Sequence, residues 1–370
     1  MEPAFGPIAH MRFVWWKKKA TVIAGIDIGS SSVKVVELGR KGKSLELLSA
    51  GVAELEGGAI VDGEIRNTRA VANVVAKLLE DRGVAAHDAA TSVAGNAVIV
   101  KRIVTPEAEG EALTEGVLAE AQRQLSSGIS ELNIDYQVLG PGTAPKTVDV
   151  MLVAARRETV GQRAEVLASA GRHPVLVDVD AFAIQNAFET AYQPAAGKTV
   201  ALFNLGASLI NMNVVRDGVP LFTRDIAADA QYTAALQKSL NVSASEAEAL
   251  KKGRDGAAVT ETFLGSIDAA REAFLDSLAS EVHQTLSYLH QMAGSTTSSD
   301  VDAAYVSGGV ASLPGLCDRL QRELNAPVEV LNPLRGMRTS ESTLDEEHLA
   351  EISPRLAVAV GLALRSFDER

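Results

Sequence analysis

The chain has 370 residues, more than the ~250–300 at which one core stops growing, so two or more domains are expected. Its 46% hydrophobic and 22% charged residues are those of an ordinary globular protein, and a net charge of −12 excludes a nucleic-acid-binding surface built on clustered Lys and Arg. One cysteine, Cys317, leaves no internal disulfide and points to a reducing compartment.

Residues 1–19 read as a leader. Phe13-Val14-Trp15-Trp16 stands ahead of Lys17-Lys18-Lys19, the reverse of a signal peptide's order, with a weak membrane-interface contact as the other reading. No run approaches the ~20 apolar residues of a membrane span; "LAVAVGLAL" is about half that. Next comes "AGIDIGSSSVKVVELG", residues 24–39: an apolar strand, an acid, a glycine, three serines and a second strand. A third strand is expected near 45–54. In "TRAVANVVAKLLEDRG" the spacing of Val71, Val74, Val75, Leu78 and Leu79, with Gly83 as the stop, predicts an amphipathic helix.

A polar joint at 105–111 opens a compact unit. Its expected elements are a helix near 113–125, strands at 132–139 and 148–154 around the turn Gly140-Pro141-Gly142, and a helix at 158–170. The opening pattern then returns in "KTVALFNLGASLINMNVVRDGVPLFTRDIA". Aligning Asp27 with Asn204 also aligns Gly29 with Gly206 and Ser31 with Ser208, at a constant offset of 177 residues. Two such hairpins imply a degenerate duplication, with two similar halves facing one another across a cleft.

The hairpins carry the chemistry. A glycine at the tip lets backbone approach a ligand, and the small residues after it turn N–H and hydroxyl groups toward phosphate oxygens. Asp27 is placed to hold a hydrated Mg²⁺, an ion that keeps several waters and uses one or two carboxylates with phosphates. Lys34 adds a compact positive charge. Further on, "SASEAEALKKG" offers Ser243 or Ser245 as a helix N-cap and sets Glu248 and Lys251 three apart on one face. "YVSGGVASLPGL" runs a strand through Ser307-Gly308-Gly309 toward a helix start near Pro314.

The order hairpin, inserted unit, second hairpin, E-x-x-K segment and S-G-G turn resembles the actin-like ATPase superfamily. "GIDIGSSSVKVVEL", "LNIDYQVLG", "VMLVAARRETV", "VDVDAFAIQNAFE" and "EAEALKKG" resemble more narrowly the type IV pilus assembly protein PilM family, relatives of the division protein FtsA, over nearly the whole chain. The resemblance implies an α/β fold of two RNase H-like halves across a nucleotide cleft, with an inserted small α+β domain. The expected division is 20–97 plus 336–370 for the first half, 98–172 for the insert, 173–227 plus 296–335 for the second half and 228–295 for a mostly helical subdomain. The implied ligands are ATP and Mg²⁺. Asp27, Gly29, Ser30, Ser31, Ser32 and Lys34 would form the first phosphate segment, and Asn204, Gly206, Ala207 and Ser208 the second. Glu248 and Lys251 would reach the ribose, Gly308, Gly309 and Val310 would line the adenine, and Asp178 and Asp180 would lie near the metal, Asp180 as a second ligand beside Asp27.

By the same resemblance the protein is expected to be a cytoplasmic adaptor, peripheral to the inner membrane. It would take the cytoplasmic N-terminal peptide of a PilN-like membrane protein in the groove between the first half and the inserted domain, connect to pilus motor components, and touch the membrane through that partner. Self-association stays open. The alternatives are a small-molecule kinase or slow ATPase of the superfamily and an FtsA-like filament former; the ending "LALRSFDER", with no amphipathic helix, speaks against the filament. Asn204 stands where relatives commonly have an aspartate, and Ala227-Ala228 where they often have glycines. With no acid apparent near the second hairpin, very slow hydrolysis is expected.

Overall fold

The computed structural model describes residues 22–61, 63–125, 128–227, 232, 236–237, 240–243, 246–247, 261–293, 301–339 and 345–367. The leader 1–19, Ala228, Ser245, Glu248 and Lys251 lie outside the described residues.

The first sheet contains β1 (Ile23–Ile28), β2 (Ser32–Lys41), β3 (Ser44–Glu54), β6 (Asp88–Val93), β10 (His173–Val179) and β16 (Arg338–Thr339), in the order β10-β6-β1-β2-β3-β16. The small hairpin of β4 (Ile60–Val61) and β5 (Glu64–Ile65) follows β3. The second sheet contains β11 (Thr199–Leu205), β12 (Leu209–Arg216), β13 (Val219–Ala227), β14 (Ala303–Gly308) and β15 (Val328–Val330), in the order β13-β12-β11-β14-β15. In each half the first strand pairs antiparallel with the second and parallel with the fourth. The duplication holds residue by residue, because Asp27 pairs with Lys34 and Asn204 with Asn211, at the same offset of 177. This is the actin-like architecture that the resemblance implied.

Helix α1 (Thr68–Asp81) forms where the apolar spacing predicts it, capped by the Asn67 side chain, which accepts from the Ala70 N–H at 3.0 Å. Its Val71, Val75, Leu78 and Leu79 are buried against Ala24, Ile26, Val33 and Val35 of the first sheet. Between the two sheets lie α4 (Asp180–Tyr192) and α8 (Ala357–Leu364). All eight residues of α8 are buried, which explains why "AVAVGLAL" is apolar on every side without spanning a membrane. Among the described residues no helix is long and apolar enough to cross one. The two helices approach backbone to backbone, since a Cβ on Gly361 would stand 1.7 Å from the Ala183 carbonyl oxygen.

The inserted unit is an antiparallel sheet of β7 (Val98–Pro106), β9 (Thr147–Arg156) and β8 (Leu132–Pro141), with β9 central and α2 (Gly110–Gln124) on one face. Its other face sets Met151 and Val153 against Val179 and Phe182. One expected boundary is corrected. Helix α3 (Arg157–Ser169) follows β9 with no loop, packs against α1, and leads into β10, which pairs with β6 of the first sheet. Residues 157–179 therefore belong with the first half, and the 172/173 division does not coincide with a change of sheet; the unbroken run from β9 into α3 hides the passage between bodies. Of the helical subdomain expected at 228–295, helix α5 (Glu261–Ala293) is described, and its Phe274, Leu275, Leu278 and Val282 enter the core of the second half.

Candidate functional site

A cleft of about 990 Å³ opens between the halves. Asp27, Gly29, Ser30, Ser31, Ser32 and Lys34 line it from one side, and Asn204, Gly206, Ala207, Ser208, Gly308, Gly309 and Val310 from the other. Both hairpin tips close with the same bond: the Gly29 N–H donates to the Ser32 carbonyl and the Gly206 N–H to the Leu209 carbonyl, each at 3.0 Å. The tips meet across the cleft at Ser30 Oγ and Ser208 Oγ, 2.5 Å apart. The S-G-G turn is fastened to the end of β11, where Ser307 Oγ donates to the Phe203 carbonyl and the Gly309 N–H to that of Leu205, both at 3.0 Å. Gly308 has φ +97°, and a Cβ on it would lie 2.5 Å from the Leu205 oxygen, so glycine is required there. Helix α6 (Leu316–Leu324) then starts two residues beyond Pro314. Ser243 and Glu246 exchange hydrogen bonds as a capping box.

The charges are uneven across the cleft. Asp27 is buried and ion-paired to Lys34 at 3.1 Å. Asp180, the first residue of α4, is raised to about 7, chiefly by burial and then by the negative charge of Asp27; a Ser92 hydrogen bond and the Arg163 guanidinium oppose the rise. Asp225 on β13 also lines the cleft. Burial raises its pKa, against hydrogen bonds from Asn211 Nδ2 at 2.7 Å and the Gly95 N–H at 2.6 Å. That Gly95 bond joins the halves.

Two sequence expectations change. Asp178 does not reach the cleft: it is fully buried and ion-paired to Arg365 at 2.6 Å, because it is still within β10, whereas Asp180 opens α4 after the strand has ended. The second hairpin is not without an acid, since the cross-strand partner of Asn211 is Asp225. This acid stands on the third strand of its half, whereas Asp27 stands on the first strand of its own, and a motif centred on the glycine tip does not look there. Arg163 and Arg355 were likewise outside that motif. Arg355 donates to Ser32 Oγ at 3.2 Å and to Glu54 at 3.1 Å at the rim of the cleft, and Arg163 comes from α3.

The donor set suits a hydrated Mg²⁺. Among the described residues no group of three or more His, Cys, Asp or Glu forms an all-protein metal cage, and Mg²⁺ bound with phosphates needs none. Asp27 and Asp180 each offer a carboxylate, and the buried Asn211 Oδ1 has no hydrogen-bond partner, an acceptor fitted to a metal-bound water.

Comparison with known proteins agrees with this reading of the fold. A solved structure described as a PilM-PilN type IV pilus biogenesis complex superposes with a TM-score of 0.81 at 27% identity, covering 94% of this chain and 99% of that one. The ethanolamine utilization protein EutJ from Carboxydothermus hydrogenoformans shares the fold at a TM-score of 0.54 and 16% identity, covering 92% of this chain and 89% of its own. The model of the type IV pilus assembly protein PilM family matches residues 25–367, from within β1 to the last described residues, so the chain belongs to that family.

Proposed function

We propose that this protein binds ATP with Mg²⁺ in the interlobe cleft and serves as an actin-like adaptor of the type IV pilus inner-membrane assembly complex, taking the cytoplasmic N-terminal peptide of a PilN-like membrane protein. The observation that carries the proposal is the similarity, end to end at 27% identity, to the PilM of a PilM-PilN complex. The cleft supports the nucleotide: two phosphate-type hairpins, one carrying Asp27 and Lys34, close on a volume at the upper end of ordinary ligand pockets. The peptide belongs in the groove between the first half and the inserted unit, whose strand β7 pairs with β9 on one side and leaves its other side as a sheet edge that an extended segment can join. Membrane association then runs through the partner, since a short basic leader adds only about 1 kcal/mol per Lys or Arg at an anionic surface.

Calorimetry tests the reading by titrating a synthetic N-terminal peptide of the membrane partner into the full chain, with and without Mg-ATP. One-to-one binding is expected, and heat absent in both titrations sinks the adaptor. In cells, deleting the partner should release the protein from the membrane fraction, whereas deleting residues 1–19 should not; the reverse pattern would make the leader the anchor. Slow hydrolysis is expected of the same cleft, with Asp180, at the start of α4 and close enough to Asp27 to feel its charge, as the second carboxylate on the metal side. Phosphate release below the ~1–100 s⁻¹ of kinases, and lost in Asp180→Asn, is the expected result.

A further inference from the structure

Helix α3 turns three residues into the cleft, Arg156 at its N-cap, Thr159 and Arg163, spaced so that they share one helical face. Arg163 is the deepest, only 7% exposed. One terminal nitrogen donates to the Ile28 carbonyl at the end of β1, just before the first hairpin tip, and the other makes a long 3.5 Å contact to the Gly63 carbonyl in the turn between β4 and β5. Nε is buried with no hydrogen-bond partner. A guanidinium has five N–H donors in a rigid fork, so most of its donor capacity remains for a ligand. Its neighbours in charge are Asp180 and Asp27, the two carboxylates where the metal would sit. The other cation of the first hairpin, Lys34, is already engaged with Asp27.

A buried cation whose burial lowers its pKa, and which keeps free donors, gains most from an anion carrying several acceptor oxygens. Arg163 is bonded into the first half beside Asp27 and Asp180, whereas the Gly308–Val310 turn, where the base would lie, is fastened to β11 of the second half. The part of a nucleotide that reaches it is the far end of the phosphate chain. We propose that Arg163 is the residue that distinguishes a nucleoside triphosphate from a diphosphate, by contacting the terminal phosphate beside the metal; this rests on the nucleotide reading of the cleft. The anchors to Ile28 and Gly63 hold the guanidinium in place, so the preference for the triphosphate is built in before the ligand arrives.

The test is calorimetric titration of the full chain with Mg-ATP and Mg-ADP, for the wild type, Arg163→Lys and Arg163→Met. The expected result is a wild-type preference for ATP that falls about tenfold or more in Arg163→Met, the loss typical of one charged hydrogen-bonding partner, with ADP affinity nearly unchanged and Arg163→Lys in between. Equal weakening of both nucleotides would make Arg163 a structural residue, and an unchanged ratio would remove it from the site; either overturns the proposal. If the wild type binds neither nucleotide, the nucleotide reading itself fails. Should Arg163→Met not fold, the wild type still decides: in a ¹⁵N-arginine spectrum, the Nε–H signal of Arg163, assigned by its loss in Arg163→Lys, should move with Mg-ATP and stay with Mg-ADP. A signal that moves equally with both overturns the inference.

Discussion

The two halves share a five-strand order, to which the first adds β16, the same hairpin register at an offset of 177 and the same 3.0 Å bond closing each hairpin tip, yet they present different chemistry to the cleft. Where the first half pairs Asp27 with Lys34, the second pairs Asn204 with Asn211. The residue that ends its parallel strand differs as well: Asp180 follows β10, whereas the buried Leu331 follows β15. The two hairpins thus share a backbone and differ in their ionisable side chains. One half gathers the charged groups Asp27, Lys34, Arg163 and Asp180. The other sets the neutral Asn204 and Asn211 at the equivalent positions and carries its acid, Asp225, on β13.

The largest effect expected from this asymmetry concerns Asp180. Its folded-state pKa, about 7, lies above its unfolded value, so between about pH 4 and pH 7 the folded protein holds a proton that the unfolded chain releases. Stability contributed by this group is therefore present at low pH and lost as pH rises through 7. Asp180→Asn abolishes that loss. At pH 8 it should stabilise the protein on the order of 4 kcal/mol at most, at about 1.4 kcal/mol per pH unit, with little change at pH 4. Denaturant unfolding at the two pH values checks it; a mutant with the same pH slope as the wild type would show that Asp180 is not the group that titrates.

Much of this was legible in the amino-acid sequence, and what was not has a physical reason. The glycine tips, the flanking alternation and the constant offset are local patterns, and they located the hairpins and the S-G-G turn because turn chemistry acts over a few residues. Asp178 and Asp180 sit two apart on one side of a strand end, and only the point where β10 stops and α4 begins decides which of them meets Arg365 and which meets the cleft. Arg163 was hidden for another reason. It lies 135 residues from the carbonyl it holds, and its helix reads as part of the inserted unit because β9 enters α3 without a loop. Cleft residues brought in by the packing of separate elements leave no short-range pattern to find.

The next effect compares Asp27 with Asn204, equivalent positions with and without a charge. Asp27→Ala removes the carboxylate of the first hairpin and leaves Lys34 without its 3.1 Å partner. The Mg²⁺-dependent part of ATP affinity should fall by about 1–3 kcal/mol, the range for hydrogen bonds to charged groups. Asn204→Ala removes a neutral group and should cost no more than about 1 kcal/mol. Calorimetry with and without Mg²⁺ separates them; equal losses would mean that the two halves serve the metal alike.

The smallest effect tests the backbone that the halves share. A Cβ on Gly206 would stand 2.8 Å from the Leu209 carbonyl oxygen, the acceptor of the bond that closes its own tip, so Gly206→Ala must open that turn. On Gly29 the nearest atom, also at 2.8 Å, is Lys34 Nζ, the free end of a flexible side chain, and the corresponding carbonyl, that of Ser32, is 3.2 Å away. Moving an ammonium group costs less than moving a hydrogen-bonded backbone. Gly206→Ala should therefore destabilise by about 1–2 kcal/mol, within the usual cost of overpacking, and Gly29→Ala by less than about 1 kcal/mol. For nucleotide binding the order should reverse, because displacing Lys34 from Asp27 disturbs the charged hairpin while the neutral one has no ion pair to lose. Urea unfolding and Mg-ATP titration of the two variants give both orders. If Gly29→Ala is the more destabilising, the tips are not equivalent turns and the halves differ in backbone as well as in charge.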